Sequence, residues 1–358
     1  MKKTILAIAI AMVSTGAMAT SPGVGTSQAS ATIGGGVVIG PGGGAALMTS
    51  YTASGATTVS GGTAAACATC GAGAGGAVSG SGALGYTSSA AAGVVTGNAS
   101  GFNSATSSFS AQTSNQQSAS AGGVDVASNS AASVAGVSGA AVNGTGAAIS
   151  GGVTGAGALA GVGASYSSDN YHTKTTEYYI GIPWVAGVKG GTVSSGSVDK
   201  ADIALGSGSG AGSLAGSAQV GNAAADVEVM SVASAEASGA ADSGVAAVDG
   251  STSTGSMSMA GSDATGSGLA GSGYMSGAAG EMAAYNSVTN EYSWVTTWKF
   301  GKDKTSYGPA DVTETTSVAG RDIKGGIGGD FAIGNGTATG STASDILMNG
   351  TINGGVPQ

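Results

Sequence analysis

Charge is scarce in this chain. From Thr20 to Ser168 the only charged side chain is Asp125, and all 358 residues include 10 Lys and Arg, 19 Asp and Glu and a single His. Acid–base and nucleophilic catalysis need groups held at controlled pKa values. Nearly half of the chain offers none, which turns the expectation from an enzyme to a structural or adhesive protein. No Lys or Arg lies between Thr20 and Lys174, so the first half has no means of neutralising phosphates and no nucleic-acid partner is expected. In the second half Lys299, Lys302, Lys304, Arg321 and Lys324 alternate with Asp303, Asp311, Glu314 and Asp322, a solvated face of mixed sign.

Aromatic residues make up 5% of the sequence. A transmembrane β-barrel needs aromatic girdles and large outward apolar side chains, and the first half lacks them, so no barrel is expected. Long apolar runs are missing too. Gly and Ser interrupt each one after the N-terminus, leaving no integral membrane span of about 20 residues.

Cysteine occurs twice, as Cys67 and Cys70 in Cys67-Ala68-Thr69-Cys70. In an oxidising compartment the first reading is a local disulfide. Free thiols, a redox pair or a metal site are the alternatives, but no βαβ context surrounds the pair and the lone His172 is remote. No metal and no cofactor is expected.

The N-terminus carries an address. Lys2 and Lys3 precede the short apolar core Ile5 to Val13, and Ala17-Met18-Ala19 supplies the small residues of a signal-peptidase site. Residues 1–19 therefore read as a signal peptide, with the product exported across the inner membrane and secreted or held at the cell surface.

Beyond it, composition divides the chain. Residues 20–165 are an uncharged Gly/Ala/Ser-rich scaffold, 166–203 an aromatic and charged island, and 204–284 an acidic Gly/Ala/Ser-rich scaffold. Residues 285–324 form a second island and 325–358 Gly/Thr/Ile-rich C-terminal strands. With 70 Gly and 5 Pro, one reading is a largely disordered low-complexity chain. Period-two alternation favours strands instead, as in Gly123-Val124-Asp125-Val126-Ala127, Asp226-Val227-Glu228-Val229 and Ser256-Met257-Ser258-Met259. Frequent Gly penalises helix by about 1 kcal/mol at each occurrence. The expected fold is all-β: an irregular β-solenoid or stacked sheets of short strands, broken at Gly-Gly, Asn-Gly and Gly-Ser, with two aromatic strand islands.

In the second island Tyr292, Trp294, Trp298 and Phe300 share one parity, and in the first His172, Lys174, Tyr178 and Trp184 do the same. These aromatics are the candidate binding residues, readable as a packed core or as an exposed platform for sugars or proteins. Other chemistry is weaker. Gly71 to Gly76 matches GxGxxG, but no helix or ribose-binding acid follows it. Asp226/Glu228 and Asp199/Asp202 could pair as glycosidase carboxylates or cation ligands. Gly325 to Asp330 only partly matches a calcium repeat. The leading expectation is a non-catalytic exported structural or adhesive surface protein that meets itself, another surface protein or a glycan. A functional-amyloid or fibre subunit is the second reading, and a carbohydrate-binding or carbohydrate-active protein the third.

Overall fold

The computed structural model describes residues 19–353, apart from 23–26, 41–42, 68–72, 180–187, 222–223, 243–245, 265–267, 300–301, 308–310 and 334. Fifteen strands follow one another: β1 (Ala19–Pro22), β2 (Ser27–Ile39), β3 (Ala45–Cys67), β4 (Gly73–Thr96), β5 (Phe102–Ala121), β6 (Val124–Asn143), β7 (Gly146–Tyr179) and β8 (Val188–Gly221). Then come β9 (Ala224–Asp242), β10 (Ala247–Ala264), β11 (Gly268–Lys299), β12 (Lys302–Tyr307), β13 (Asp311–Ile327), β14 (Asp330–Ile333) and β15 (Gly336–Asn353). The protein is all-β, and no helix occurs among the described residues.

The strands are not short. β7 and β8 each run for 34 residues and β11 for 32, where short strands were expected. The composition boundaries at 165/166, 203/204 and 284/285 fall inside β7, β8 and β11. Gly is expected to break strands, but in the sheets it stays within them and often faces another Gly, as at Gly155↔Gly212 and Gly157↔Gly210. Among the described residues, positive φ angles fall in connections and at Gly221, the last residue of β8. Gly122 and Gly123, with φ of 61° and 79°, form the two-residue turn of the β5–β6 hairpin, a geometry that side chains bearing a Cβ resist.

Two antiparallel sheets result. The larger has the order β1-β3-β4-β7-β8-β11-β12, with β2 beside β3 and with β13 and β14 beside β11; the smaller is β15-β10-β9-β6-β5. Hairpins alternate between them: β3–β4 in the large sheet, β5–β6 in the small, then β7–β8, then β9–β10. Each new hairpin joins the previous one of its own sheet. Stacked sheets are thus present, whereas solenoid coils are not: every described pairing is antiparallel and neither sheet closes. The layers lie strand over strand, with β5 above β3 and β4, β6 above β4 and β7, β9 above β7 and β8, and β10 above β8 and β11.

Small side chains hold the layers together. β6 alternates strictly between buried and more open positions, the period-two burial of a two-layer sandwich. Its inner positions meet those of β4 through hydroxyl pairs: Ser81–Ser130 at 2.9 Å and Ser89–Ser138 at 2.8 Å. Ser213–Ser256, at 2.8 Å, repeats the device between β8 and β10. Direct Ser–Ser contact across the seam requires the sheets to lie closer than the usual ~10 Å.

The few large inner side chains need holes, and glycines of the facing sheet supply them. Phe109 lies on Gly85, Met282 on Gly250 and Tyr274 on Gly340; a Cβ at those glycines would fall 1.9, 1.9 and 1.7 Å from the facing side chain. The largest apolar cluster gathers Ile203, Leu205, Met282, Val288, Val124 and Val248 near one end of the sandwich.

Candidate interaction surface

The two islands come together. The first forms the end of the β7–β8 hairpin, and the second, in β11, lies against β8. The islands pair directly: residues 190–203 of the first, on β8, bond to residues 286–299 of the second, on β11. His172, Ser195, Trp294 and Tyr307 occupy one row across four strands. His172 Nδ1 and Ser195 Oγ are 2.8 Å apart. Trp294 is half-buried, and Tyr171 lies across Gly196, where a Cβ would come 2.3 Å from its ring.

Tyr292 and Trp298 occupy strand positions of the same parity as Trp294, and Tyr178 pairs with Lys189. The side chains of Tyr178, Tyr292 and Trp298, together with Phe300 and Trp184, lie outside the described residues. So does Cys70, while Cys67 ends β3 and is disulfide-bonded.

The acidic residues do not converge. Asp199 and Asp202, of opposite parity, lie on opposite faces of β8. Tyr166 donates its hydroxyl to Asp199 at 3.3 Å; Tyr285 and Ser287 donate to Asp202 at 3.2 and 2.6 Å. Burial, aided by the Asp199 charge, pushes the Tyr166 hydroxyl above its ordinary pKa. Asp330 accepts a hydrogen bond from Tyr274, and this bond raises the pKa of that tyrosine. Asp226 and Glu228 take alternate positions on β9. Among the described residues no three His, Cys, Asp or Glu side chains gather as a metal site.

Sequence reasoning missed two features. The first is the outer face of the large sheet. On β4 the even positions Val78, Leu84, Tyr86 and Val94 point outward and are 42–54% exposed, while the odd positions from Gly73 to Gly93, facing the small sheet, are Gly, Ala, Ser and Thr. Register carries the pattern across the sheet. Tyr86, Val153, Leu214, Met275 and Ile327 form one row over five strands. On one side lies a row containing Gly155, Gly212, Gly277 and Gly325, and on the other a row containing Gly151, Gly216 and Gly273. A further row runs through Ile33, Tyr51, Ile149 and Phe331, beside an open apolar groove of about 540 Å³ that Leu269 and Val220 help to line.

The second feature is the edges. Among the described residues β5 bonds only to β6 and β2 only to β3. These two strands lie at the same end of the sandwich, because β5 covers β3.

Comparison with known proteins yields no family. No family model matches the chain, and no curated protein does. Among solved structures, the β domain of the Bordetella autotransporter BrkA aligns at 11% identity and a TM-score of 0.11, covering 84% of this chain and 98% of that one. Pseudomonas aeruginosa OccK7 (OpdD) aligns at 9% identity and 0.09, covering 85% and 99%. P. aeruginosa OpdQ aligns at 9% and 0.07, covering 85% and 98%. Scores this low establish no shared fold and carry no functional argument.

What remains is the chemistry of the surface itself. Open edges present rows of backbone N–H and C=O groups that bind other strands. An apolar face with glycine troughs offers dry, close contact. No described helix is long and apolar enough to cross a membrane.

Proposed function

We propose that this chain is an exported, non-catalytic structural surface protein whose copies join edge to edge, both sheets running on from one copy to the next as a fibre. The observation that carries the reading is the pair of open edges at one end. β5 (FNSATSSFSAQTSNQQSASA) and β2 (SQASATIGGGVVI) contain no charged residue and no proline. Monomeric β proteins guard edges of this length with Lys, Pro, bulges or covering segments. Neither strand carries an edge lysine or a proline, and the Asn and Gln of β5 suit intermolecular ladders. The opposite end differs in kind: Asp311, Glu314, Arg321, Asp322 and Lys324 lie on β13, and Lys324 pairs with Asp345 of β15 at 3.5 Å. Two unlike ends make a contact of one end on the other heterologous, and such contacts propagate unless a rotation closes them. Export rests on the Lys2-Lys3 region, the apolar core and the Ala17-x-Ala19 site.

Lysines on the charge-free edge test this. Ser110→Lys with Ser114→Lys places two charges along β5 at outward-facing positions, where folding tolerates them. Purified mature protein should form fibres visible by negative-stain electron microscopy, and the double variant should remain as small particles with an unchanged circular dichroism spectrum. Fibres of equal yield from both proteins, or from neither, would refute edge-to-edge joining.

A further inference from the structure

We propose that the outer face of the large sheet is a docking surface for a second copy of this chain, packed sheet against sheet; this rests on the self-assembling reading above but uses a different surface. Size is the first argument. The large sheet is seven columns wide, and its apolar rows run from Leu47–Val94 to Val59–Gly82. At ~4.8 Å between strands and ~3.3 Å per residue, that is roughly 30 by 40 Å on each copy. Two copies would bury roughly 2,400 Å², above the ~1,600 Å² of a standard stable interface. Monomeric proteins rarely leave an apolar patch of this extent in water.

Charge is the second argument. The formal net charge is −9, which opposes self-association in general. Yet across these rows, from β2 to β14, the outward positions hold no Asp, Glu, Lys or Arg; the first charged pair is Glu281↔Arg321, in the row of Gly61 and Leu159. The acids sit elsewhere, so two such faces meet without like-charge repulsion. An anionic or cationic partner would find nothing to pair with.

Relief is the third. The row Tyr86–Val153–Leu214–Met275–Ile327 stands between two glycine-rich rows, each displaced by two residues along the strands, or about 6.6 Å. The ridge of one copy fits the trough of another, as interdigitated side chains do in dry sheet interfaces. Large side chains already use glycine this way inside the molecule, where Phe109 lies on Gly85.

Sedimentation equilibrium on the mature chain carrying the β5 lysines, which removes edge assembly, separates this contact from the fibre. A dimer is expected. Adding Val153→Lys and Leu214→Lys should weaken it by about 100-fold or more, since each forces an unpaired charge into a dry interface. The melting temperature should stay unchanged, both positions being half-exposed. If the β5-lysine protein still forms polymers, the same face lysines are read on those polymers. A monomer without the face lysines, a dimer or polymer indifferent to them, or flotation of the monomer with phosphatidylcholine vesicles in place of dimerisation would overturn the proposal. A monomer from the β5-lysine protein beside fibres from the wild type would overturn it while leaving the edge reading intact.

Discussion

Gly85→Ala should destabilise the protein by about 2–3 kcal/mol, although Gly→Ala within a strand ordinarily stabilises through the unfolded chain. The added Cβ would fall 1.9 Å from Phe109 Cε2 and 2.4 Å from Cδ2, so the ring must leave its place between the sheets. Overpacking of this kind typically costs about 1–3 kcal/mol, and here rigid ladders on both sides limit relaxation. Gly206→Ala is the control. Nothing lies within 4 Å of that Cβ position, and the change should be neutral or stabilising by up to about 1 kcal/mol. Denaturant titration of both variants checks the sign. The Gly85→Ala/Phe109→Ala pair should lose less than the sum of the two single effects, because the second change removes what the first collides with. Additive losses would show that Phe109 does not occupy the Gly85 hollow.

The second large effect is expected at Ile203→Ala, with a loss of about 3–5 kcal/mol, the upper part of the range for such truncations. Ile203 is fully buried in the cluster with Leu205, Met282 and Val288. Most inner positions hold Ala, Ser or Thr, whose burial contributes little, whereas burying an Ile or Leu is worth about 1.5–3 kcal/mol. Thermal unfolding of the variant measures this, and a shift no larger than that of a surface substitution would show that the cluster is not the main anchor of the seam.

Some of this architecture was legible in the sequence. The alternation at Val124–Ala127, Asp226–Val229 and Ser256–Met259 marks strands that exist as β6, β9 and β10. The shared parity of Tyr292, Trp294 and Trp298 holds in β11. Strand length was not legible, because Gly and Ser read as punctuation when only local propensity is considered. In the sheets they are what lets two layers approach to hydroxyl contact, so tertiary packing overrides the local signal. The apolar face was hidden for another reason. Tyr86, Val153, Leu214, Met275 and Ile327 are scattered over most of the chain, and only the register of four strand pairings aligns them. The habit of placing large apolar residues inside also misleads. Val78, Leu84 and Tyr86 share a parity visible in the sequence, but their even positions face outward and the small odd ones face the seam.

X-ray diffraction from aligned assemblies of the mature protein tests the central claim most directly, that thin two-layer sandwiches join through open edges. Strands perpendicular to the fibre axis predict a reflection near 4.7–4.8 Å along it. The small-residue seam predicts a sheet-spacing reflection across the axis distinctly shorter than about 10 Å. A protein that stays monomeric under all conditions, or fibres whose strand reflection lies across the axis, would contradict the account.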